Sequence, residues 1–142
     1  MAGIRSEVFT NPETSSKRDV DGRVIDGFSM FKKNIRPDYD EVVNREGAEL
    51  ACRKYFTPET LDTYWENLVL GLIGETIDED DQICGCRVVD KSTNRPMYRL
   101  ELWFKSKSND VSERLRVRTI EALVDGDTKG NRNLPDFQLK KH

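Results

Sequence analysis

Apolar residues recur along the chain at two spacings, and these spacings divide it into helices and strands. Between Thr57 and Gly74 they return every three or four positions, as on one face of a helix. Thr57 is a favourable N-cap and Pro58 suits the first helical position, so a helix is predicted to begin there. The stripe consists of Leu61, Trp65, Leu68, Val69 and Leu72.

Two strand-like runs follow this helix, Ile83 to Asp90 and Met97 to Lys105. The polar segment 91–96 separates them, which predicts a β-hairpin with a long loop. In the second run every other residue is apolar, so these residues should face the core. They are Tyr98, Leu100, Leu102 and Phe104. Trp103 therefore falls on the opposite face, between charged residues.

Weaker patterns complete the chain. Residues 27–35 read as a short turn of helix, 48–56 and 136–141 as strands, and Asp110 with Glu113 as a capping box that opens a second long helix. Strands and helices mix without βαβ alternation, which favours an antiparallel α+β domain with helices on one face. The polar segment 1–26 is predicted to be a flexible or remnant arm, and 27–142 to be the domain.

Composition narrows the classes of protein. The chain has 142 residues and a net charge of −3, which suits one domain and argues against a surface that coats nucleic acid. It has no long apolar run and no apolar segment near its start, so neither a membrane span nor a secretory signal is predicted. We expect a cytoplasmic protein with three reduced cysteines.

Cys84-Gly85-Cys86 raises the possibility of a metal site, because residues two apart on a strand face the same way. A structural zinc site needs four ligands, and only Cys52 and His142 could add to this pair. Buried thiols are therefore favoured, and Gly85 suits close backbone packing or a bulge. Without a recognisable catalytic set, we predict neither an enzyme nor a cofactor.

Trp103 has two interpretations. Its ring is either covered by another element or by Arg and Lys stems, or it is a platform for a phosphorylated aromatic ligand. The hairpin supports the second interpretation, because positions 87 to 105 contain five basic residues and only two acidic ones. The basic residues are Arg87, Lys91, Arg95, Arg99 and Lys105, and the acidic ones are Asp90 and Glu101.

Three segments together resemble the eukaryotic initiation factor 4E family: "FSMFKKNIRPDYDEVVNREG" (28–47), "YWENLVLGLIGETIDEDDQICG" (64–85) and "RLELW" (99–103). The resemblance implies a curved antiparallel sheet with helices on its convex face. It also implies binding of the 7-methylguanosine cap of messenger RNA in translation initiation or its control. The family's first cap-stacking Trp lies upstream, and residues 1–26 contain no Trp, which indicates a divergent or N-terminally truncated member.

The resemblance also assigns site residues. Tyr39 matches a cap-stacking Trp, Asp40 the Glu that reads the base, and Trp103 the Trp that touches the methyl group. Arg99 matches a phosphate-contacting Lys, and a second phosphate contact would come from Lys91 or Arg95.

A second implied surface lies on the convex helix. Val69, Leu70 and Gly74 match positions that receive a helix from scaffold factor 4G or from 4E-binding repressors, although Glu66 stands where the family has Leu. The implied partners are thus capped messenger RNA and these proteins. The alternative is a retained fold with an impaired cap pocket, acting as a protein-interaction module or decoy.

Overall fold

The computed structural model describes residues 4–10, 25–54, 56–74, 76–77, 81–95, 97–126 and 134–142. In these ranges six strands form one antiparallel sheet in the order β1-β2-β4-β5-β3-β6. The strands are β1 Ile4–Thr10, β2 Ile25–Lys32, β3 Ala48–Lys54, β4 Ile83–Asp90, β5 Tyr98–Phe104 and β6 Gln138–Lys141. The helices are α1 Val42–Arg45, α2 Pro58–Ile73 and α3 Asn109–Leu123. The expected α+β class with a curved antiparallel sheet is confirmed.

The main core lies between the sheet and the two long helices. Alternate residues of β5, Leu100, Leu102 and Phe104, face this core as predicted. Leu68 of α2 and Leu115 of α3 pack against them. Because the helices cover this side, we call the opposite side the open face of the sheet. It carries a smaller cluster built on Phe31, Cys84 and Trp103.

The two helix starts differ. Thr57 Oγ1 accepts a hydrogen bond from the Thr60 N–H at 3.2 Å, so the predicted N-cap of α2 is confirmed. Ser108 is the N-cap of α3, and its side chain makes no capping bond. The predicted capping box is wrong, because Asp110 lies inside the first turn of α3 and is not its N-cap. Glu113 pairs with Arg116 at 2.8 Å instead.

Residues 27–35 do not form a turn of helix. They belong largely to β2, which pairs with β1 on one side and β4 on the other. Phe31 faces the open side and Met30 packs toward the helices, as alternation in a strand requires. Four apolar residues in nine fit either period, and the two flanking strands decide between them.

The boundary predicted at residue 26 stays a prediction. Residues 4–10 form β1, whereas 1–3 and 11–24 lie outside the described residues. Residues 78–80 and 127–133 also lie outside them. In the part of the chain that the structure covers, none of the helices has the length and apolar character needed to cross a membrane.

A β-bulge separates the two neighbouring cysteines. The pairing of β4 with β5 shifts between Ile83 and Gly85, so Cys84 joins the open-face cluster while Cys86 lies in the main core. The two thiols therefore lie on opposite sides of the sheet, and the expectation that they face the same way was wrong. Gly85 is required here because a Cβ would lie 2.4 Å from Cγ of Phe31. Burial raises the pKa of the Cys86 thiol, as fits an inert core residue.

Candidate ligand site on the open face

Four rings meet on the open face. The Trp103 indole packs against Tyr39 with centroids 4.6 Å apart and planes 31° from parallel. His142 lies 4.8 Å and Phe31 5.3 Å from the same ring, both edge-on. These neighbours leave Trp103 with 0% exposure. Of the two interpretations of Trp103, the first therefore applies to this structure, because other elements cover the ring.

The loop between β2 and α1 carries Tyr39 to this place. Asn44 Nδ2 donates hydrogen bonds to the carbonyl oxygens of Arg36, at 2.6 Å, and Asp38, at 2.9 Å. These bonds fix the loop so that Tyr39 lies over Trp103 on the open face. The Tyr39 ring stays 42% exposed, so it forms the outer wall of the cluster.

A buried carboxylate fixes the orientation of the indole. Trp103 Nε1 donates to Glu101 Oε1 at 2.8 Å, and Arg99 Nε donates to Glu101 Oε2. Nη1 of Arg87 lies 3.6 Å from Oε1, and its guanidinium carbon sits 5.2 Å from the Trp103 ring centroid. Glu101 itself has no exposed surface. Two arginines thus neutralise the charge of the carboxylate that accepts the indole N–H.

A second buried carboxylate belongs to Glu49, directly across the β3–β5 ladder from Trp103. Its Oε1 accepts a hydrogen bond from the Tyr39 hydroxyl at 3.3 Å, and Nε2 of His142 lies 3.4 Å away. Burial alone would raise the pKa of Glu49. The contact with His142 and the charges of Arg99 and Lys140 outweigh it, so the pKa lies below its usual value.

Tyr39 is a hydrogen-bond donor at neutral pH. Burial, together with the negative charges of Glu49 and Glu101, raises its pKa to about 12. The hydroxyl therefore keeps its proton and presents it to Glu49. The cluster combines stacked rings with carboxylate oxygens, an arrangement suited to a flat ligand that carries N–H donors.

The structure brings together two of the three residues predicted for base binding. Tyr39 and Trp103 are in contact, whereas the Asp40 side chain is exposed, and its backbone N–H donates to Asp38 Oδ1 at 2.7 Å. Asp40 is thus next to the cluster in sequence but takes no part in it.

The predicted phosphate contacts are spread along the hairpin. Arg99 lies near the cluster through its bond to Glu101. Lys91 follows Gly85, the partner of Trp103 in β4, by six residues and so lies roughly 20 Å along the strand. Lys91 and Arg95 are both exposed. A depression of about 610 Å³ opens beside Arg99, with Arg53 and Lys140 on its walls.

The predicted partner surface lies on the other side of the sheet, on α2. Leu70 is 57% and Ile73 48% exposed, Val69 is half-buried, and Gly74 ends the helix at the surface. These side chains form an apolar ridge near the end of α2.

Two residues of the cluster, Glu49 and His142, were not predicted from the sequence. Glu49 interrupts the apolar run of β3, a signal that marks an open-face position, but its partner Trp103 is set by pairing between distant strands. Nothing local in the sequence predicts where His142 lies. No group of three or more potential metal ligands occurs within the described ranges.

Comparison with known proteins gives a consistent family. The sequence profile described as Eukaryotic initiation factor 4E matches residues 13–140. Eukaryotic translation initiation factor 4E1 of Drosophila melanogaster is 30% identical over 115 residues, which cover 80% of this chain and 42% of that protein. Isoform 4E of Nicotiana tabacum is 29% identical over 103 residues, covering 70% and 48%. The chain thus spans less than half the length of these two relatives.

Solved structures agree with this result. A complex of C. elegans eIF4E-3 with the 4E-binding protein Mextli and a cap analog aligns with a TM-score of 0.65 at 25% identity, covering 82% of this chain and 62% of that one. Ascaris suum eIF4E-3 with the m2,2,7G cap aligns with a TM-score of 0.69 at 21% identity, covering 89% and 68%. The second likeness concerns the fold alone.

Proposed function

Because the chain belongs to the eukaryotic initiation factor 4E family, we propose that it binds the 7-methylguanosine cap of messenger RNA and acts in cytoplasmic translation initiation or its control. The observation that carries the proposal is the pair of rings, Tyr39 over Trp103, next to buried carboxylates. A methylated guanine is cationic, so electron-rich rings attract it by stacking and by cation–π interaction.

The phosphates of the cap would lie toward Arg99. Its guanidinium has donors besides the Nε that bonds Glu101, and planar arginine donors suit phosphate oxygens. Lys91 and Arg95 belong to this proposal as contacts for the far end of a bound nucleotide chain.

Fluorescence of Trp103 tests cap binding directly. The chain has two tryptophans, so a Trp65→Phe background leaves Trp103 as the only reporter. We expect titration with 7-methylguanosine triphosphate to quench it. Tyr39→Ala should weaken binding by roughly 1–3 kcal/mol, the usual contribution of one stacked ring. Trp103→Ala should abolish retention on a cap-analogue resin.

Trp103 is buried, so its substitution could unfold the protein, whereas Tyr39 is half exposed. Thermal unfolding of each variant therefore separates lost binding from lost folding. Tyr39→Ala should unfold near the wild-type temperature. A flat titration of the folded wild type would contradict cap binding.

The second candidate is a protein-interaction module with an impaired cap pocket. Two observations favour it: Trp103 is fully covered, and Leu70 and Ile73 are exposed on α2. In both candidates the ridge on α2, with Val69 and Gly74, would receive a helix of scaffold factor 4G or of a 4E-binding repressor. A flat cap titration with retained binding of such a helix would favour the second candidate.

A further inference from the structure

One oxygen of Glu49 stands out in the open-face site. Oε2 is buried and makes no hydrogen bond with any described residue. Oε1, by contrast, accepts a hydrogen bond from the Tyr39 hydroxyl and lies near Lys140 and His142. Buried polar atoms are nearly always satisfied, so such an oxygen marks a place that a donor is expected to fill. The lowered pKa of Glu49 means that this oxygen belongs to an ionised carboxylate.

Asp40, the carboxylate assigned by resemblance, lies in a different setting. Its side chain is exposed and has no hydrogen bond or ion pair within the described part of the chain. Glu49, by contrast, is directly opposite Trp103 in the β3–β5 register. Of the two, only Glu49 is shielded from water beside the rings, where a hydrogen bond to a ligand discriminates most strongly.

The imidazole of His142 occupies the space next to this carboxylate. It contacts the Trp103 ring at 4.8 Å and the Tyr39 ring at 4.9 Å, both edge-on. Its Nδ1 lies 2.7 Å from the carbonyl oxygen of Asn44, which can only accept, so Nδ1 carries a proton. Nε2 then faces Glu49 Oε1 at 3.4 Å.

The imidazole of His142 is therefore a flat nitrogen heterocycle that already lies against two rings and a buried carboxylate. We propose that Glu49, rather than Asp40, accepts the N–H donors of the bound guanine, and that His142 occupies this place until the base displaces it. The inference rests on the proposed function, which supplies the ligand. The shared features of His142 and a methylated guanine are a planar ring, N–H donors and the capacity for positive charge.

The experiment compares matched variants in the Trp65→Phe background by fluorescence titration. The probes are 7-methylguanosine triphosphate, 7-methylinosine triphosphate, which lacks the exocyclic amino group, and guanosine triphosphate. Glu49→Gln should weaken binding of 7-methylguanosine triphosphate roughly 10- to 100-fold, the usual effect of losing a charged acceptor. It should also remove the preference for guanine over inosine. Asp40→Asn is the control and should change affinity less than about twofold.

His142→Ala removes the internal occupant and should tighten binding, because the free protein no longer holds the site closed. Unchanged affinity in this variant would overturn that half of the proposal. The guanine-to-inosine ratio compares two probes on one variant, so it stays informative even when Glu49→Gln lowers stability.

The outcomes separate the inference from the function. A loss in Asp40→Asn with none in Glu49→Gln overturns the inference and leaves cap binding intact. Equal binding with and without the methyl group, still dependent on Glu49, supports the inference and overturns cap-specific binding. A wild type that binds none of the three nucleotides overturns both.

Discussion

Individual side chains on the open face are held by charge as much as by packing. Trp103, the ring on which the site depends, has its N–H bound by Glu101, and Glu101 is in turn paired with Arg99 and Arg87. A buried carboxylate with these partners is tolerated only while all of them are present. The orientation of the ring is therefore linked to the stability of the sheet.

Glu101→Ala tests this link. The substitution leaves two arginines without their buried carboxylate and the indole N–H without its acceptor. We expect it to lower the free energy of unfolding by about 3 kcal/mol, measured by urea denaturation. Glu66→Ala, at an exposed glutamate on α2, is the control and should lie within about 0.5 kcal/mol of wild type. A loss of less than about 1 kcal/mol in Glu101→Ala would show that the ion pairs do not stabilise the site.

Glu49 makes stability depend on pH. Its folded pKa is lowered, so between the two pKa values the unfolded state binds more protons than the folded state. Its contribution is fully present above the unfolded pKa of about 4.3 and is lost as pH falls through the folded pKa. The difference in unfolding free energy between wild type and Glu49→Gln should therefore shift against the wild type as the pH falls through the folded pKa of Glu49.

Urea denaturation at a series of pH values from neutral to strongly acid measures this difference. Glu121→Gln, at an exposed glutamate on α3, is the matched control. An equal pH dependence for both variants would mean that Glu49 gains nothing from its folded surroundings.

The helices and strands differ in how strongly their own residues stabilise them. The N-termini of the two long helices are capped differently. Thr57 caps α2 through its hydroxyl, whereas the Ser108 side chain makes no capping bond at α3. Thr57→Ala should cost about 1 kcal/mol of unfolding free energy, whereas Ser108→Ala should cost much less. Calorimetric unfolding of both variants measures the contrast. Equal losses would mean that the side-chain bond at Thr57 is not what stabilises the start of α2.

Elements with local signals were predictable from sequence. The stripe and cap of α2 and the alternation of β5 are properties of contiguous residues, and both elements appear where expected. β2 was not predictable, because its strand character comes from pairing with β1 and β4. The same reason explains the cysteines, since the bulge at Cys84 is visible only in the register between β4 and β5.

At the scale of the whole molecule, the strand order creates the site. β3 and β5 are far apart in sequence but adjacent in the sheet, which brings Glu49 opposite Trp103. β6 pairs with β3 at the edge of the sheet. His142 directly follows β6 and contacts the same rings. Family resemblance pointed to Tyr39 and Trp103 of the ring cluster, but not to Glu49 or His142, because the positions of these two residues depend on this long-range arrangement.

The sheet also separates two proposed surfaces, with the rings on the open face and the ridge of Leu70 and Ile73 on the helical side. Substitutions on opposite sides that share no contacts should act independently. Leu70→Glu should therefore weaken binding of a helical peptide from scaffold factor 4G by roughly tenfold or more, the effect of losing one buried leucine. It should leave the titration with 7-methylguanosine triphosphate unchanged. Tyr39→Ala should do the reverse, and the double variant should combine both losses without coupling. Loss of cap-analogue affinity in a folded Leu70→Glu protein would show instead that the two faces are linked through the sheet.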